Sequence, residues 1–301
     1  MNGVPVHGGF TEAQLSDLLR RACDAAGLRV DGAVVLRGQT NAVIRLQAAP
    51  VIVKIARAGT NPAEVARTVR FVSWLMDLGF PTVPLYKPEI QPLLLDGHAI
   101  TLWDYLPQPP EPVPTEALAK PLSRLHRLDQ PPVSLPRSNV IEAIRRSLRA
   151  TTLLSEPDLR FLRERADRLA SELTDIQYVL NPDAMTQGDP HHRNALHSSE
   201  GVVLCDWDSV SIGQPEWDLI TIEVHCRRFG YGQAAYDGFA QAYGFDITSW
   251  SGYHSLRDLR ELRMIATNAR KSTHAPEKAA EVIRRVDGLR HGDYKLAWCI
   301  L

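Results

Sequence analysis

The stretch Gln187-Gly188-Asp189-Pro190-His191-His192-Arg193-Asn194, followed by Val202-Val203-Leu204-Cys205-Asp206-Trp207-Asp208, decides how the rest of the chain is read. An aspartate is followed five residues later by an asparagine, and a second aspartate closes an apolar run. Met185-Thr186 and Val202 to Cys205 have the composition of two short strands. The spacing predicts a polar loop between them that turns Asp189, Asn194 and Asp206 into one place.

Protein kinases carry the same order of groups, H-R-D-x-x-x-x-N and then D-F-G. There the first Asp accepts the proton of the attacking hydroxyl, and the Asn and second Asp hold the metal ions that bridge the β- and γ-phosphates. More closely, the stretch resembles the aminoglycoside phosphotransferase and choline kinase family. That family writes H-G-D-x-H-x-x-N, an apolar run, D-W-[DE], G-x-P and D-L. Gly188, Asp189, His191 and Asn194 match, as do Asp206-Trp207-Asp208, Gly213, Pro215 and Asp218-Leu219. Gln187 stands where the family has a loop-bracing His; glutamine keeps hydrogen-bonding capacity there.

Composition is that of an ordinary globular protein: 301 residues, 44% hydrophobic, 23% charged, net charge −1. That length suits two lobes with a sizeable core. The near-neutral balance argues against nucleic acid and against a membrane surface as partners. No apolar run approaches the roughly 18 residues that span a bilayer, and the N-terminus does not read as a signal peptide. Cys23, Cys205, Cys226 and Cys299 are scattered without C-x-x-C spacing, and read as buried reduced thiols of a cytoplasmic protein.

Thr11-Glu12-Ala13-Gln14 has capping-box form, and Leu15, Leu18, Leu19 and Ala22 repeat at helical spacing, predicting a helix over 11–26. Ala33 to Arg37, Ala42 to Leu46 and Val51 to Ile55 read as strands, the first two joined by a turn at Gly38-Gln39-Thr40-Asn41. Alternation puts Lys54 on the face opposite Val53 and Ile55. Asn61 as cap and Pro62 at the first position start a helix that runs to about Leu78. Pro92 to Leu95 and Ala99 to Trp103 complete five strands. Pro107-Gln108-Pro109-Pro110-Glu111-Pro112-Val113-Pro114 cannot be a helix or a central strand. It reads as a stiff connector that divides the chain into 1–106 and 107–301. Beyond it the pattern is helical around Leu118, Leu122 and Leu125, then over 138–150, 157–175, 217–227, 232–243, 256–270 and 277–289. The last helices carry Arg257, Arg260, Glu261, Arg263 and Arg270, which by spacing alone form a solvated face.

The resemblance implies an α+β, two-lobed, protein-kinase-like fold. Its N-terminal lobe is a five-stranded antiparallel sheet with helices, its C-terminal lobe larger and mainly helical, with ATP and Mg²⁺ in the cleft. It assigns Gly38 and Asn41 to the loop over the nucleotide and Lys54 to the α- and β-phosphates. Asp104 to Leu106 meet adenine through the backbone. Asn194 and Asp206 hold metal, Asp208 touches a second metal, and Asp189 is the catalytic base. Asp218 braces the catalytic loop, and His126 is a packed, hydrogen-bonded histidine. Glu64 is the candidate to hold Lys54, although the family alignment puts that glutamate nearer Thr68; a solvated first-turn glutamate favoured by the helix dipole fits equally. The acceptor is a small hydroxylated molecule. Aminoglycosides are polycations that call for carboxylate-rich pockets, and in this family the late helices wall the pocket. A neutral chain with arginines there suits an uncharged or anionic acceptor as well, and both stay open. A pseudokinase-like binder, monomeric or dimeric like the enzyme, is the rival reading. Gln187 and the displaced Glu64 support it, and the intact Asp189, Asn194 and Asp206 oppose it. A protein kinase is a further alternative, opposed by the interval between Asp208 and Asp218, which lacks an A-P-E-type segment and is too short for a peptide-docking activation loop.

Overall fold

The computed structural model describes residues 9–38, 41–272 and 278–301. Gln39 and Thr40 of the predicted turn, and Glu277 at the start of the last predicted helix, lie outside them. The chain forms two compact units. The first comprises Met1–Glu111, Gln130–Leu135 and Ala195–Asp208; the second comprises Pro112–Asp129, Pro136–Asn194 and Ser209–Leu301.

In the first unit, helix α1 (Glu12–Ala26) starts with the reciprocal cap its sequence announces. The Gln14 N–H donates to Thr11 Oγ1 at 3.2 Å, and the Thr11 N–H donates to Gln14 Oε1 at 3.1 Å. Leu15, Leu18, Ala22, Cys23 and Ala26 face the sheet. Strands β1 (Val34–Arg37), β2 (Ala42–Arg45) and β3 (Val51–Ile55) run antiparallel in order. Helix α2 (Pro62–Asp77) follows, with Asn61 accepting from the Ala63 N–H at 3.0 Å. Strands β4 (Leu93–Leu95) and β5 (His98–Asp104) complete an antiparallel sheet of order β1-β2-β3-β5-β4. On β3, Val51, Val53 and Ile55 are fully buried with α1, so alternation turns Lys54 to the other face.

The second unit takes over with α3 (Ala119–Leu125), α4 (Val140–Ala150), α5 (Glu156–Glu172) and the short strand β6 (Ala184–Thr186). The chain then returns to the first unit as the hairpin β7 (Ala195–Ser198) and β8 (Gly201–Leu204). Strand β9 (Ser211–Gly213) lies in the second unit and pairs with β6. The two strands read from the sequence around the polar loop are therefore not partners. Each pairs with a neighbour of three or four residues, too short to show alternation. Helices α6 (Glu216–Arg228), α7 (Gln233–Tyr243), α8 (Tyr253–Lys271) and α9 (Ala279–Arg290) finish the chain. Among the described residues no helix is long and apolar enough to cross a membrane. The cysteines form no disulfide, but Cys205 is only half-buried and Cys299 is exposed, because the latter sits in the C-terminal tail.

Helix α6 is buried on nearly all sides, charged residues included, which makes it the axis of its unit. Its last turn is held by a network the composition hides. Arg228 donates to both oxygens of Glu261 on α8, each at 2.7 Å, and to the carbonyls of Asp293 and Leu296 at 2.9 Å. Arg227 joins Glu223 and Glu261 at 2.7 and 2.8 Å. Burial raises the pKa of Glu261, but the bonds from Arg228 and the charge of Arg227 outweigh it and hold it below the usual glutamate value. A carboxylate with a depressed folded-state pKa gives its full stabilisation at neutral pH and loses it as pH falls through the carboxylate range. Glu261→Gln leaves the buried guanidinium of Arg228 without a carboxylate, takes one of two from Arg227, and is expected to cost about 3–5 kcal/mol. Urea unfolding at pH 7 checks this; a variant as stable as the parent would refute the network's importance.

Candidate active site

Two clusters, one in each unit, collect the residues singled out by the sequence. In the first unit, Lys54 Nζ donates to Asp206 Oδ1 at 3.0 Å and to Asp208 Oδ2 at 2.8 Å. Asn41 Nδ2 donates to Asp208 Oδ2 at 3.4 Å. Trp207 explains how two aspartates one residue apart both reach one lysine. Its ring is buried at 5.4 Å from Phe71 and 6.0 Å from Phe80, and its Nε1–H donates to Thr82 Oγ1 at 2.9 Å. The strand end is fixed as well: the Leu204 N–H donates to the Pro81 carbonyl at 2.9 Å, and the Val83 N–H to the Leu204 carbonyl at 3.0 Å. Between them Asp206 takes a left-handed backbone, φ 57°, a conformation aspartate tolerates better than most residues. Burial works against the Lys54 charge, but the two carboxylates outweigh it and raise its pKa above the ordinary lysine value. The lysine side chain is 18% exposed and the two carboxylates 46% and 53%, so the acids keep oxygens open to solvent.

Lys54 does not pair with Glu64. Among the described residues its carboxylate partners are Asp206 and Asp208, while Glu64 is an exposed first-turn residue of α2. Gly38 follows β1 and borders the undescribed residues of the turn. At the end of β5, the Asp104 N–H donates to the Pro84 carbonyl and the Tyr105 N–H to the Pro50 carbonyl, at 2.9 and 2.8 Å. Gln108 of the proline-rich connector ties itself to β7, accepting from the His197 N–H at 2.9 Å and donating to its carbonyl at 3.1 Å.

In the second unit, Asp218 organises the polar loop. Its carboxylate is fully buried and accepts from the Gln187 N–H at 2.7 Å, the Gly188 N–H at 2.8 Å and His126 Nε2–H at 3.0 Å. The other ring nitrogen of His126 accepts from the Tyr243 hydroxyl at 2.7 Å. Gly188 has φ 85°, and a Cβ there would meet the Ser209 carbonyl oxygen at 2.5 Å, so only glycine fits. Gln187, standing in place of the expected His, accepts from the Asp189 N–H at 2.7 Å through its side-chain oxygen. The loop is braced by amide chemistry instead of imidazole. Asn194 closes it, its Nδ2–H donating to the Asp189 carbonyl at 3.0 Å.

Asp189 itself is paired with the guanidinium of Arg260 on α8, a contact the sequence pattern did not announce. His191 Nε2 lies 3.7 Å from its other oxygen. Burial would raise the Asp189 pKa; Arg260 first, then His191 and His225, outweigh it and hold the carboxyl well below its usual range. Arg260 also lies over the Trp217 ring at 5.3 Å, and Trp217 Nε1–H donates to the Gly188 carbonyl at 3.1 Å. The supposed solvated face of α8 is therefore wrong for Arg257, Arg260 and Glu261, which are buried, and right for Arg270, which is exposed. His191 stacks on His225 at 4.6 Å, and ring nitrogens of His191, His192 and His225 lie within 4.8 Å of one another. A cavity of about 200 Å³, lined in part by Ser138, Tyr178, Thr186, Trp217 and Leu259, borders the same tryptophan.

Asp218→Asn keeps one acceptor oxygen and turns the other position into a donor facing an N–H that loses its partner. At about 1–3 kcal/mol for an unsatisfied buried donor, the variant is expected to lose about that much. A thermal unfolding midpoint equal to the parent's would show that the loop does not depend on this carboxylate.

Comparison with known proteins follows from this geometry. The profile of the Phosphotransferase enzyme family matches residues 31–259. No curated protein sequence matches the chain at a significant level. Among solved structures, the choline kinase LicA from Streptococcus pneumoniae superposes with a TM-score of 0.66 at 16% identity, covering 90% of this chain and 98% of that one. Amicoumacin kinase in complex with AMP-PNP, Ca²⁺ and its antibiotic gives 0.67 at 12% identity, covering 96% and 98%. Spectinomycin phosphotransferase with ADP and spectinomycin gives 0.65 at 14% identity, covering 91% and 98%. The fold is the kinase-like one of these enzymes, and at such identities it is the fold alone that they share with this chain.

Proposed function

The chain belongs to the Phosphotransferase enzyme family, enzymes that move phosphate to hydroxyl acceptors, and on that premise we propose that it transfers the γ-phosphate of ATP to a hydroxyl of a small molecule. The observation that carries this reading is Lys54 held between the half-exposed carboxylates of Asp206 and Asp208. A lysine so placed is a point charge for phosphate oxygens, and the acids beside it are hard oxygen donors. Oxygen donors of this kind are what Mg²⁺ prefers, and the family motif assigns the side-chain oxygen of Asn194 to the same duty. When bound, Mg²⁺ would spread positive charge over the β- and γ-phosphate oxygens.

The rest is assigned to the chain's own groups. Lys54 meets the α- and β-phosphates, and Asn41, already bonded to Asp208, lies at the root of the loop begun by Gly38 that would cover them. The N–H groups of Asp104 and Tyr105 are engaged within the unit; the backbone of Asp104 to Leu106 is the segment that, as in the resembling family, would meet the edge of adenine. Asp189 accepts the proton of the acceptor hydroxyl as its oxygen attacks the γ-phosphorus. The bond from that phosphorus to the β-phosphate oxygen breaks, leaving ADP and a phosphomonoester, and the proton passes from Asp189 to solvent. A carboxylate with so low a pKa is a weak base, so orientation of the hydroxyl is the larger part of its task. Residues 1–106 serve the nucleotide in this reading and 107–301 the acceptor. Glu64 has no part in it.

Calorimetry should find Mg²⁺-dependent ATP binding, and no binding at millimolar ATP with or without Mg²⁺ would defeat the kinase reading. Asp189→Asn keeps the size of the side chain but cannot take the proton. Turnover should fall by roughly two to four orders of magnitude, with Mg·ATP affinity nearly unchanged. Asp206→Asn should lose metal-dependent nucleotide binding as well. Full turnover in Asp189→Asn would overturn its assignment and favour a binder that holds nucleotide without chemistry.

A further inference from the structure

The second unit handles buried charge by a consistent rule, and Arg263 breaks it. Arg165 is paired with Asp258, Arg227 and Arg228 with Glu261, Arg257 with Asp258, and Arg285 with Glu281. Arg260 has a carboxylate too, but it is Asp189, and the Nε of this nearly inaccessible side chain has no partner. Arg263, one turn along α8, has no carboxylate partner among the described residues. Among the described residues its guanidinium donates to hydroxyls: Thr267 on its own helix and, at a long 3.5 Å, Ser147 on α4. Burial, with Arg260, Arg270 and Arg146 nearby and only the Asp189 carboxylate in opposition, brings its pKa down to about 10.

An arginine left half-buried beside other arginines is costly unless something else supplies the counter-charge. Residues 260, 263 and 267 share one face of α8 by their spacing. The position of Arg260 fixes where that face leads, because its guanidinium already touches the Asp189 carboxylate. On the reading that Asp189 receives the acceptor's proton, the acceptor must come within hydrogen-bonding distance of it, and so within reach of this cationic face. A cationic acceptor would meet like charge there. An anionic one would meet a planar fork with unused donors, the geometry that recognises carboxylate and phosphate.

We propose that the acceptor is a hydroxylated compound carrying an anionic group, a carboxylate or a phosphate, and that Arg263 together with Arg260 forms the subsite for that group beside Asp189. The inference rests on the kinase reading and narrows it. It also gives the arrangement a purpose: two guanidinium groups offset the repulsion between an anionic acceptor and the phosphates of ATP. When the anion binds, Arg260 gains a second partner, and one oxygen of Asp189 is released toward the hydroxyl. Arg263 touches no reacting atom; it is a specificity residue.

The test uses the whole chain and probes matched in scaffold but not in charge: glycerate, glycerol phosphate, glycerol and aminopropanediol, then gluconate, glucose phosphate, glucose and glucosamine. ADP release should favour the anionic members, and the carboxylate and phosphate arms identify which anion is read. In Arg263→Gln the KM for the favoured acceptor should rise about 10- to 100-fold, the usual size of a charge-assisted contact. Its kcat and the Mg·ATP affinity should stay close to the parent's. Arg263→Lys, which keeps the charge but loses the fork, should fall between. The free Arg263→Gln protein should be as stable as the parent or more so, because an uncompensated charge has gone. A neutral or amine member as the best acceptor, an unchanged KM, or a lower unfolding midpoint would overturn the proposal. If no scaffold is turned over, inorganic phosphate and acetate decide, titrated with and without saturating Mg·ADP. A rise in unfolding midpoint that Arg263→Gln abolishes supports the subsite, and no such rise overturns it. Failure of the underlying reading is told apart by calorimetry, since wild-type protein that does not bind Mg·ATP is not a kinase whatever its arginines do.

Discussion

One lysine between two aspartates fixes the chemistry of the first unit. Asp206 and Asp208 repel each other, and a single ammonium at 3.0 and 2.8 Å makes their proximity tolerable. The rest of that unit is built to hold this arrangement. β3 presents Lys54 because Val51, Val53 and Ile55 are committed to the core against α1. The aspartates present themselves because Trp207 between them is committed to Phe71, Phe80 and Thr82. Apolar burial thus positions charge, and the left-handed backbone at Asp206 is the strain accepted in return.

The second unit solves a different problem, how to keep a polar loop rigid without exposing its backbone. One buried carboxylate, Asp218, takes two consecutive N–H groups, and the side chain of Gln187 takes the third. The loop then offers Asp189 outward while its own donors are satisfied. The arginines of α8 follow from the same economy of charge. Those paired with structural glutamates and aspartates hold helices together. Arg260 faces Asp189 instead, and Arg263 stands without a carboxylate partner among the described residues.

Much of this was legible in the sequence. The cap at Thr11, the Asn61-Pro62 start of α2 and the alternation around Lys54 each follow from local rules, and the structure realises them as read. The Asp189, Asn194 and Asp206 spacing located the loop. The partners of its flanking strands were not legible there, because β7 and β9 span only four and three residues, too few for a period to emerge. Lys54 was offered Glu64 as partner and took Asp206 and Asp208, at separations in sequence of 152 and 154 residues that no local rule reaches. Gln187 looked like a defect until its side-chain oxygen was found on the Asp189 N–H. The charged run on α8 looked solvated because helical spacing alone does not reveal which of its faces another helix covers. Burial of Arg257, Arg260 and Glu261 is a tertiary fact.

On the kinase reading proposed above, Lys54 is the resident counter-ion of Asp206 and Asp208, and it would yield the two carboxylates to metal when nucleotide phosphates engage it. Electron paramagnetic resonance of Mn²⁺, used in place of Mg²⁺, measures this directly. In the parent protein Mn²⁺ alone should bind weakly, and ATP should tighten it by at least about tenfold, the effect of roughly 1.4 kcal/mol of relieved charge. In Lys54→Met, Mn²⁺ alone should bind more tightly than in the parent, and the added effect of ATP should shrink. Mn²⁺ affinity indifferent both to ATP and to Lys54 would contradict the account and leave the lysine and its two aspartates as a structural ion cluster.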